Sequence, residues 1–199
     1  MQQKKLLITG FDPFGGESVN PSWEAVKRLP DTIGGYAVTK LQIPTIYGKA
    51  AETVLAEAEK LQPDVILSVG QAGRRSAITP EVVGINLREA KIADNAGTLL
   101  TNVPVIAEGP AAYFATVPVR AMVDTIQAAG IPAALSYSAG AFVCNDTLYT
   151  LLHHFDGSPT LAGFIHVPYL PQQAPEGVPS LSLEEIIRGL TAAIEALPV

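Results

Sequence analysis

The sequence predicts an α/β protein: a three-layer α/β/α sandwich around a central sheet that is largely parallel or mixed. Three observations predict it. Short apolar runs alternate along the chain with segments of helical periodicity. The runs Asp64–Gly70 (DVILSVG) and Ala133–Ser138 read as buried strands, the first apolar on both faces, as strands covered above and below are. Apolar residues make up 48% of 199 residues, enough for a core on both sides of a sheet. No repeat, low-complexity segment or linker divides the chain, so residues 1–199 are expected to form one domain.

The elements follow in order. Lys5–Thr9 is a short apolar strand, and Gly10–Asn20 a loop with three glycines and one proline. Asn20-Pro21-Ser22-Trp23 opens a helix running to about Leu29, with Asn20 at the cap and Pro21 in the first turn, where its missing N–H costs nothing. Tyr36–Ile43 alternates as a partly exposed strand. Ala50–Leu61 places Ala50, Val54, Leu55, Ala58 and Leu61 on one helical face. The strand Asp64–Gly70 comes next, then a strand-rich stretch Ala77–Leu87 broken by Pro80. Val117–Ala129 is a helix stopped by Gly130 and Pro132, Ala133–Ser138 a strand, Asn145–Phe155 a helix, and Leu161–Val167 a strand. Pro168–Pro179, with four prolines, is a loop or extended arm. Ser182–Leu197 closes the chain as a helix with a capping box of Ser182 and Glu185.

Composition excludes several function classes. The net charge of −6, with no Lys/Arg stripe, argues against nucleic acid, which needs clustered cations to displace phosphate counterions, and against any polyanionic substrate. No apolar stretch reaches the ~20 residues of a membrane span. The run Leu6–Thr9 is too short for the roughly 7–15-residue core of an export signal. A single cysteine, Cys144, forms no intrachain disulfide, which fits a reducing, cytoplasmic setting. There Asn145-Asp146-Thr147 has no meaning as a glycosylation sequon. The charged fraction, only 16%, suggests a surface partly covered by identical subunits.

Cys144 is the candidate nucleophile. A strand leads into Ser138-Ala139-Gly140 and a helix follows, so the thiol sits on a strand–turn–helix unit at the carboxyl edge of the sheet, where open α/β sheets bind ligands. The helix start is expected to depress the thiol pKa by roughly one unit, and a histidinium by more. His153 and His154 point about 100° apart on a helix and lie beyond reach of one target. His166, late in the strand GFIHVPY, reaches the same sheet edge and is the expected general base. Glu81, a lone acid in the apolar run AITPEVVGINL, is expected to orient the imidazole; Asp146 is its rival. Each residue also has a structural reading: Cys144 as buried filler, His166 as a core histidine, Glu81 as a partner of Arg88 or Lys91.

Phe11 and Phe14 ride the glycine-rich loop, and Phe142 precedes Cys144 by two residues. Three aromatics near one thiol suit a small, flat, neutral group, and Lys91 could be brought near by folding. Gly70-Gln71-Ala72-Gly73 offers backbone amides, but neither a dinucleotide fingerprint nor a Walker loop is present. Ser136-Tyr137-Ser138-Ala139-Gly140 lacks the first glycine of a G-x-S-x-G elbow, which makes Ser138 a weak competitor. No Cys/His cluster has zinc spacing.

Gly10-Phe11-Asp12-Pro13-Phe14-Gly15-Gly16, Asn20-Pro21-Ser22-Trp23, Gly70-Gln71-Ala72-Gly73, Thr79-Pro80-Glu81, Ile85-Asn86-Leu87, Gly140-Ala141-Phe142-Val143-Cys144-Asn145 and Phe164-Ile165-His166-Val167-Pro168 together resemble the pyroglutamyl peptidase type I (pyrrolidone-carboxylate peptidase) family of cysteine peptidases, in that family's order and over nearly the whole chain. The resemblance implies an α/β/α sandwich, no cofactor, N-terminally pyroglutamylated peptides as substrates, and a homotetramer. It implies a triad of Cys144, His166 and Glu81, a lactam ring embraced by Phe11, Phe14 and Phe142, and polar contacts from Asn20, the Gln71 backbone and the Val143 region. In one segment the chain departs: where the family usually has Ala-Arg-Ile-Pro-Asp-Asn, it reads Ala90-Lys91-Ile92-Ala93-Asp94-Asn95, keeping the charge near the thiol but losing the planar guanidinium fork. Val82 and Gly84 also stand where the family often has larger or basic residues.

Overall fold

The computed structural model describes residues 3–198; the ends of the expected domain, residues 1, 2 and 199, lie outside the described residues. The elements run β1 (Lys4–Phe11), α1 (Pro21–Val26), β2 (Thr32–Ile33), β3 (Tyr36–Ile43), α2 (Lys49–Leu61), β4 (Val65–Gln71), β5 (Thr79–Pro80), β6 (Val83–Ile85), β7 (Ala112–Phe114), α3 (Val119–Ala128), α4 (Val143–His154), β8 (Leu161–Val167) and α5 (Leu183–Glu195). Six strands form one sheet in the order β2-β3-β1-β4-β8-β5, and β6 and β7 form a separate antiparallel pair. The central pairs β3/β1, β1/β4 and β4/β8 are parallel, while β2 and β5 close the two edges antiparallel, so the sheet is mixed.

Both faces of the sheet are covered, because its central strands are apolar on both sides. Leu6, Ile8, Leu67, Val69 and Ile165 turn to one face and pack with residues of α1, α3 and α5. Leu7, Ile66, Ala162 and Phe164 turn to the other and pack with residues of α2 and α4. Successive side chains of a strand point to opposite faces, so each central strand feeds both cores. Among the described residues no helix is long and apolar enough to cross a membrane.

The local signals in the sequence act as chemistry requires. The Asn20 side chain accepts from the Ser22 N–H and caps α1, with Pro21 in its first turn. Ser182 and Glu185 satisfy each other's backbone groups in a capping box at α5. Two expectations differ from the structure. Residues 133–138 are not a buried strand but an edge segment touching the sheet through two bridges, Ile78–Ala133 and Glu81–Ser136, and Tyr137 is 64% exposed. Pro80 explains this: Ile78 donates to the Pro132 carbonyl and Val82 to the Ser136 carbonyl, but the residue between them has no N–H to give. The strand-rich stretch also breaks after Pro80 rather than at it. Thr79–Pro80 pairs with β8, and the chain then leaves the sheet to form β6.

Candidate active site

The site forms where β4, β8 and β5 run side by side. Gly70 on β4 is the register partner of His166 on β8, and His166 in turn faces Thr79 on β5. The Glu81 N–H donates to the Phe164 carbonyl, which carries the β5 register one step further. Phe164 and His166 are two residues apart on one strand, as are Thr79 and Glu81 on the other, so all four side chains share one face of the sheet. Helix α4 packs on that face.

Helix α4 brings Cys144. The approach turns at Gly140, in the left-handed region at φ 77°, with its N–H on the Ser138 hydroxyl. Phe142 is extended and occupies the N-cap, so the helix begins at Val143 and Cys144 lies within its first turn rather than before it. Phe142 has no side-chain oxygen, and the N–H groups of this first turn have no side-chain cap. The sulfur lies over Gly70: a β-carbon built there would come within 2.9 Å of Cys144 Sγ and 2.7 Å of Phe164 Cζ. Only glycine leaves room for the thiol beside the His166 rung.

The Phe164 and His166 rings lie 4.8 Å apart. His166 Nδ1 is 2.7 Å from Glu81 Oε1, and both side chains are buried. Arg75 Nη1 donates to the same Oε1 at 2.7 Å and also to the Thr79 hydroxyl, while Nη2 donates to the Ser138 carbonyl at 3.0 Å. Among the described residues, the buried Glu81 Oε2 has no hydrogen-bond partner of good geometry. Burial pushes the Glu81 carboxyl up, but the bond and charge of His166, the Ser136 hydroxyl and Arg75 together hold it below its ordinary value. Burial pulls His166 down, against the opposing pull of Glu81, and the net is a lowered pKa.

The thiol departs from expectation. Burial, reinforced by the Glu81 charge, pushes Cys144 up to about 12, and Arg75 only partly opposes it. Desolvation outweighs the helix start. Cys144 and His166 are thus both shifted toward their uncharged forms.

Phe14 and Phe142 are partly exposed and face each other at 6.1 Å between ring centres. Phe11 is buried against Phe164 at 6.1 Å, in the core beneath them. Asn20 is also buried; its Oδ1 takes the Ser22 N–H and hydroxyl, and its Nδ2 donates to the Asp12 carbonyl, fixing the loop that carries Phe14. Gln71 ends β4 and its side-chain oxygen is 3.4 Å from Gln173 Nε2. Val143 is fully buried at the start of α4. Lys91 is exposed, two residues past Glu89, whose N–H donates to the Ala141 carbonyl.

The rival assignments are taken up elsewhere. Glu81 pairs with Arg75, not with Arg88 or Lys91. Arg88 Nε instead binds Asp146 Oδ1 at 2.6 Å, and Gly48 N–H binds Asp146 Oδ2 at 2.7 Å. His153 Nδ1 lies 2.8 Å from the Tyr113 hydroxyl, and His154 lies edge-on to Phe155. The Ser138 hydroxyl accepts from Gly140 N–H and carries no imidazole among the described residues. Sequence reasoning missed Tyr47, whose ring meets Phe142 edge-on at 5.4 Å, and Arg75. The adjacent pair Arg74-Arg75, in a chain with only 13 cationic residues, was the available signal for the latter.

A family model described as pyroglutamyl peptidase matches residues 4–198. The pyrrolidone-carboxylate peptidase of Levilactobacillus brevis is 53% identical over 98% of both chains. That of Treponema denticola is 46% identical over 97% of this chain and 93% of its own. The crystal structure of pyroglutamyl peptidase I from Bacillus amyloliquefaciens superposes with a TM-score of 0.94 at 46% identity, covering 98% of this chain and 95% of that one. Pyrrolidone carboxyl peptidase from Thermococcus litoralis does so with a TM-score of 0.93 at 37% identity, covering 98% and 93%.

Proposed function

The chain belongs to the pyroglutamyl peptidase family, and from that premise we propose that it is a cysteine-type peptidase hydrolysing the amide bond after an N-terminal pyroglutamyl residue, with Cys144, His166 and Glu81 as its catalytic triad. The observation that carries this reading is the shared rung: Cys144 Sγ over Gly70, His166 beside Gly70, and Glu81 on His166 Nδ1. Because Glu81 accepts the Nδ1 proton, Nε2 keeps its lone pair and can take a proton from the thiol.

With both groups shifted toward their uncharged forms, proton transfer and attack go together. His166 Nε2 takes the Cys144 proton as the sulfur adds to the pyroglutamyl carbonyl carbon. The oxyanion is held by uncapped N–H groups in the first turn of α4, that of Cys144 included. His166 then protonates the departing amine, leaving a thioester. Water adds to the thioester with His166 again as base, pyroglutamate leaves, and the thiol is restored. Glu81, held ionised, stabilises the imidazolium formed at each step.

Phe14 and Phe142 embrace the lactam, with Phe11 as the floor beneath them. Asn20 shapes the loop, the Gln71 backbone and Val143 region provide amide contacts, and Lys91 meets the substrate outside the ring. A lactam has neither a free amine nor a side-chain carboxylate, so an apolar slot with a few amide contacts suffices. We extend the proposal to a cytoplasmic, cofactor-independent homo-oligomer, a tetramer by family likeness. Its support is the lone cysteine and the exposed Ile92, Leu99, Phe114 and Tyr137. Hydrolysis of pyroglutamyl-naphthylamide by the wild-type protein and its loss in Cys144→Ser test the activity; a folded wild type with no turnover would reject it. Sedimentation equilibrium tests the assembly.

A further inference from the structure

Glu81 is buried at the edge of the sheet, and something must hold its charge there. The Arg75 guanidinium touches Glu81 Oε1, the Thr79 hydroxyl and the Ser138 carbonyl. Arg74, exposed and in the left-handed region at φ 75°, reverses the chain so that Arg75 turns inward. Arg75 therefore joins three segments: the turn after β4, the β5 end carrying Glu81, and the approach to Cys144. It also lines a shallow, open depression of about 420 Å³ with Thr79, Leu135, Ser136, Tyr137 and Ser138.

We infer that Arg75 is a positioning residue for this chemistry, supplying the fixed positive charge and the hydrogen-bonding fork that hold Glu81 on His166 Nδ1 and tie the Ser138 carbonyl ahead of the Cys144 turn. The inference rests on the triad reading given above. One Glu81 oxygen takes both the imidazole and the guanidinium, so the charge of the carboxylate is shared between a group that titrates and one that does not. Without the cation the buried carboxylate would keep only His166 and the Ser136 hydroxyl, and its charge would draw a proton onto the imidazole, leaving it unable to act as a base. The charged and titratable groups facing this junction are Glu81 after β5, His166 on β8, Cys144 on α4 and Arg75 itself. Asp146, on the same turn of α4, is occupied by Arg88 and Gly48. The Arg75 charge lowers both His166 and Cys144.

The test compares Arg75→Gln, which can still donate a hydrogen bond but has no charge, with Arg75→Lys, which keeps the charge without the fork. Two profiles are measured for each: kcat/KM against pH on pyroglutamyl-naphthylamide, and the rate of Cys144 alkylation by iodoacetamide against pH. Whichever of the thiol or the imidazole sets the acid limb, losing the cation raises it. Arg75→Gln is expected to move the limb up by about one unit in both profiles, the low end of what one charge produces beside a buried group, because Arg75 is partly exposed. Below the limb its kcat/KM should fall about 10-fold, with KM little changed. Arg75→Lys should keep the wild-type limb. If Arg75→Gln does not fold, the lysine variant alone decides, since a displaced limb in it overturns the inference. A wild-type limb in Arg75→Gln, or a loss confined to KM, overturns it equally. A wild type that alkylates but does not turn over substrate would instead reject the proposed activity, and the alkylation profiles would still read the role of Arg75.

Discussion

Glu81 and Asp146 are both fully buried, and each is paired with an arginine, yet they are built for different ends. Asp146 has each oxygen filled: Arg88 Nε on one, the Gly48 N–H on the other. Its contacts tie α4 to the loop before α2 and to the Arg88 segment. Glu81 takes its imidazole and guanidinium on one oxygen, with the Ser136 hydroxyl also supporting the carboxylate, and among the described residues its other oxygen has no hydrogen-bond partner of good geometry. A structural carboxylate is satisfied in full, because an orphaned buried acceptor costs about 1–3 kcal/mol. Glu81 instead shares its bonded oxygen between a fixed cation and an imidazole that must change charge, which is what a working group looks like.

The strongest way to break this comparison is to neutralise each acid in turn. Glu81→Gln is expected to lower kcat/KM by about 10³-fold or more, since an amide can no longer favour the Nδ1–H tautomer or the imidazolium. Asp146→Asn should remain within about 10-fold of wild type. Equal losses in two folded variants, by initial rates, would abolish the distinction. Next is Gly70→Ala, whose methyl has no room against Cys144 Sγ and the Phe164 ring. It should lower kcat at least about 10-fold and cost about 1–3 kcal/mol in urea unfolding. Arg88→Met inverts the Glu81 case. It strands the Asp146 charge and should cost about 2–3 kcal/mol, below the usual range for a buried pair because Arg88 is partly exposed, while kcat changes little.

The smallest effect is on stability against pH. His166 titrates in the folded state below its ordinary 6.5, and Glu81 below 4.5. In each interval the unfolded chain binds the proton that the folded chain refuses. Stability is therefore full above 6.5, declines as pH falls through His166, and declines again below 4.5 through Glu81. Cys144 acts at the other end: raised from 9.0 to about 12, it keeps its proton when the unfolded chain has lost it, so stability falls above about pH 9. Thermal melts from pH 4 to 10 should show both slopes. His166→Gln should flatten the first acid slope, and Cys144→Ala the alkaline one.

Much of this was legible along the chain. The bounds of β3 and β8 follow from alternation and apolar runs, and the caps of α1 and α5 follow from Asn20-Pro21 and Ser182 with Glu185, because these signals act within a few residues. Cys144, His166 and Glu81 could be nominated singly, as a lone thiol at a turn, an imidazole at a strand end and an acid in an apolar run. The edge segment at 133–138 was misread because its ladder depends on Pro80, more than fifty residues away. The thiol was expected too acidic because the helix start is local, whereas the desolvation that dominates it comes from the elements packed around it.

Taken alone, the sequence determined the alternation of strands and helices, the helix starts, the acidic and sparsely charged surface and the identities of the reactive groups, since each depends on neighbours in the chain. Only the tertiary structure decided which arginine serves which carboxylate, that Gly70 clears space for the sulfur, and that burial shifts thiol and imidazole toward their uncharged forms. Those outcomes depend on burial and on charges brought together across β4, β5, β8 and α4, and neither burial nor distance is written in the order of residues.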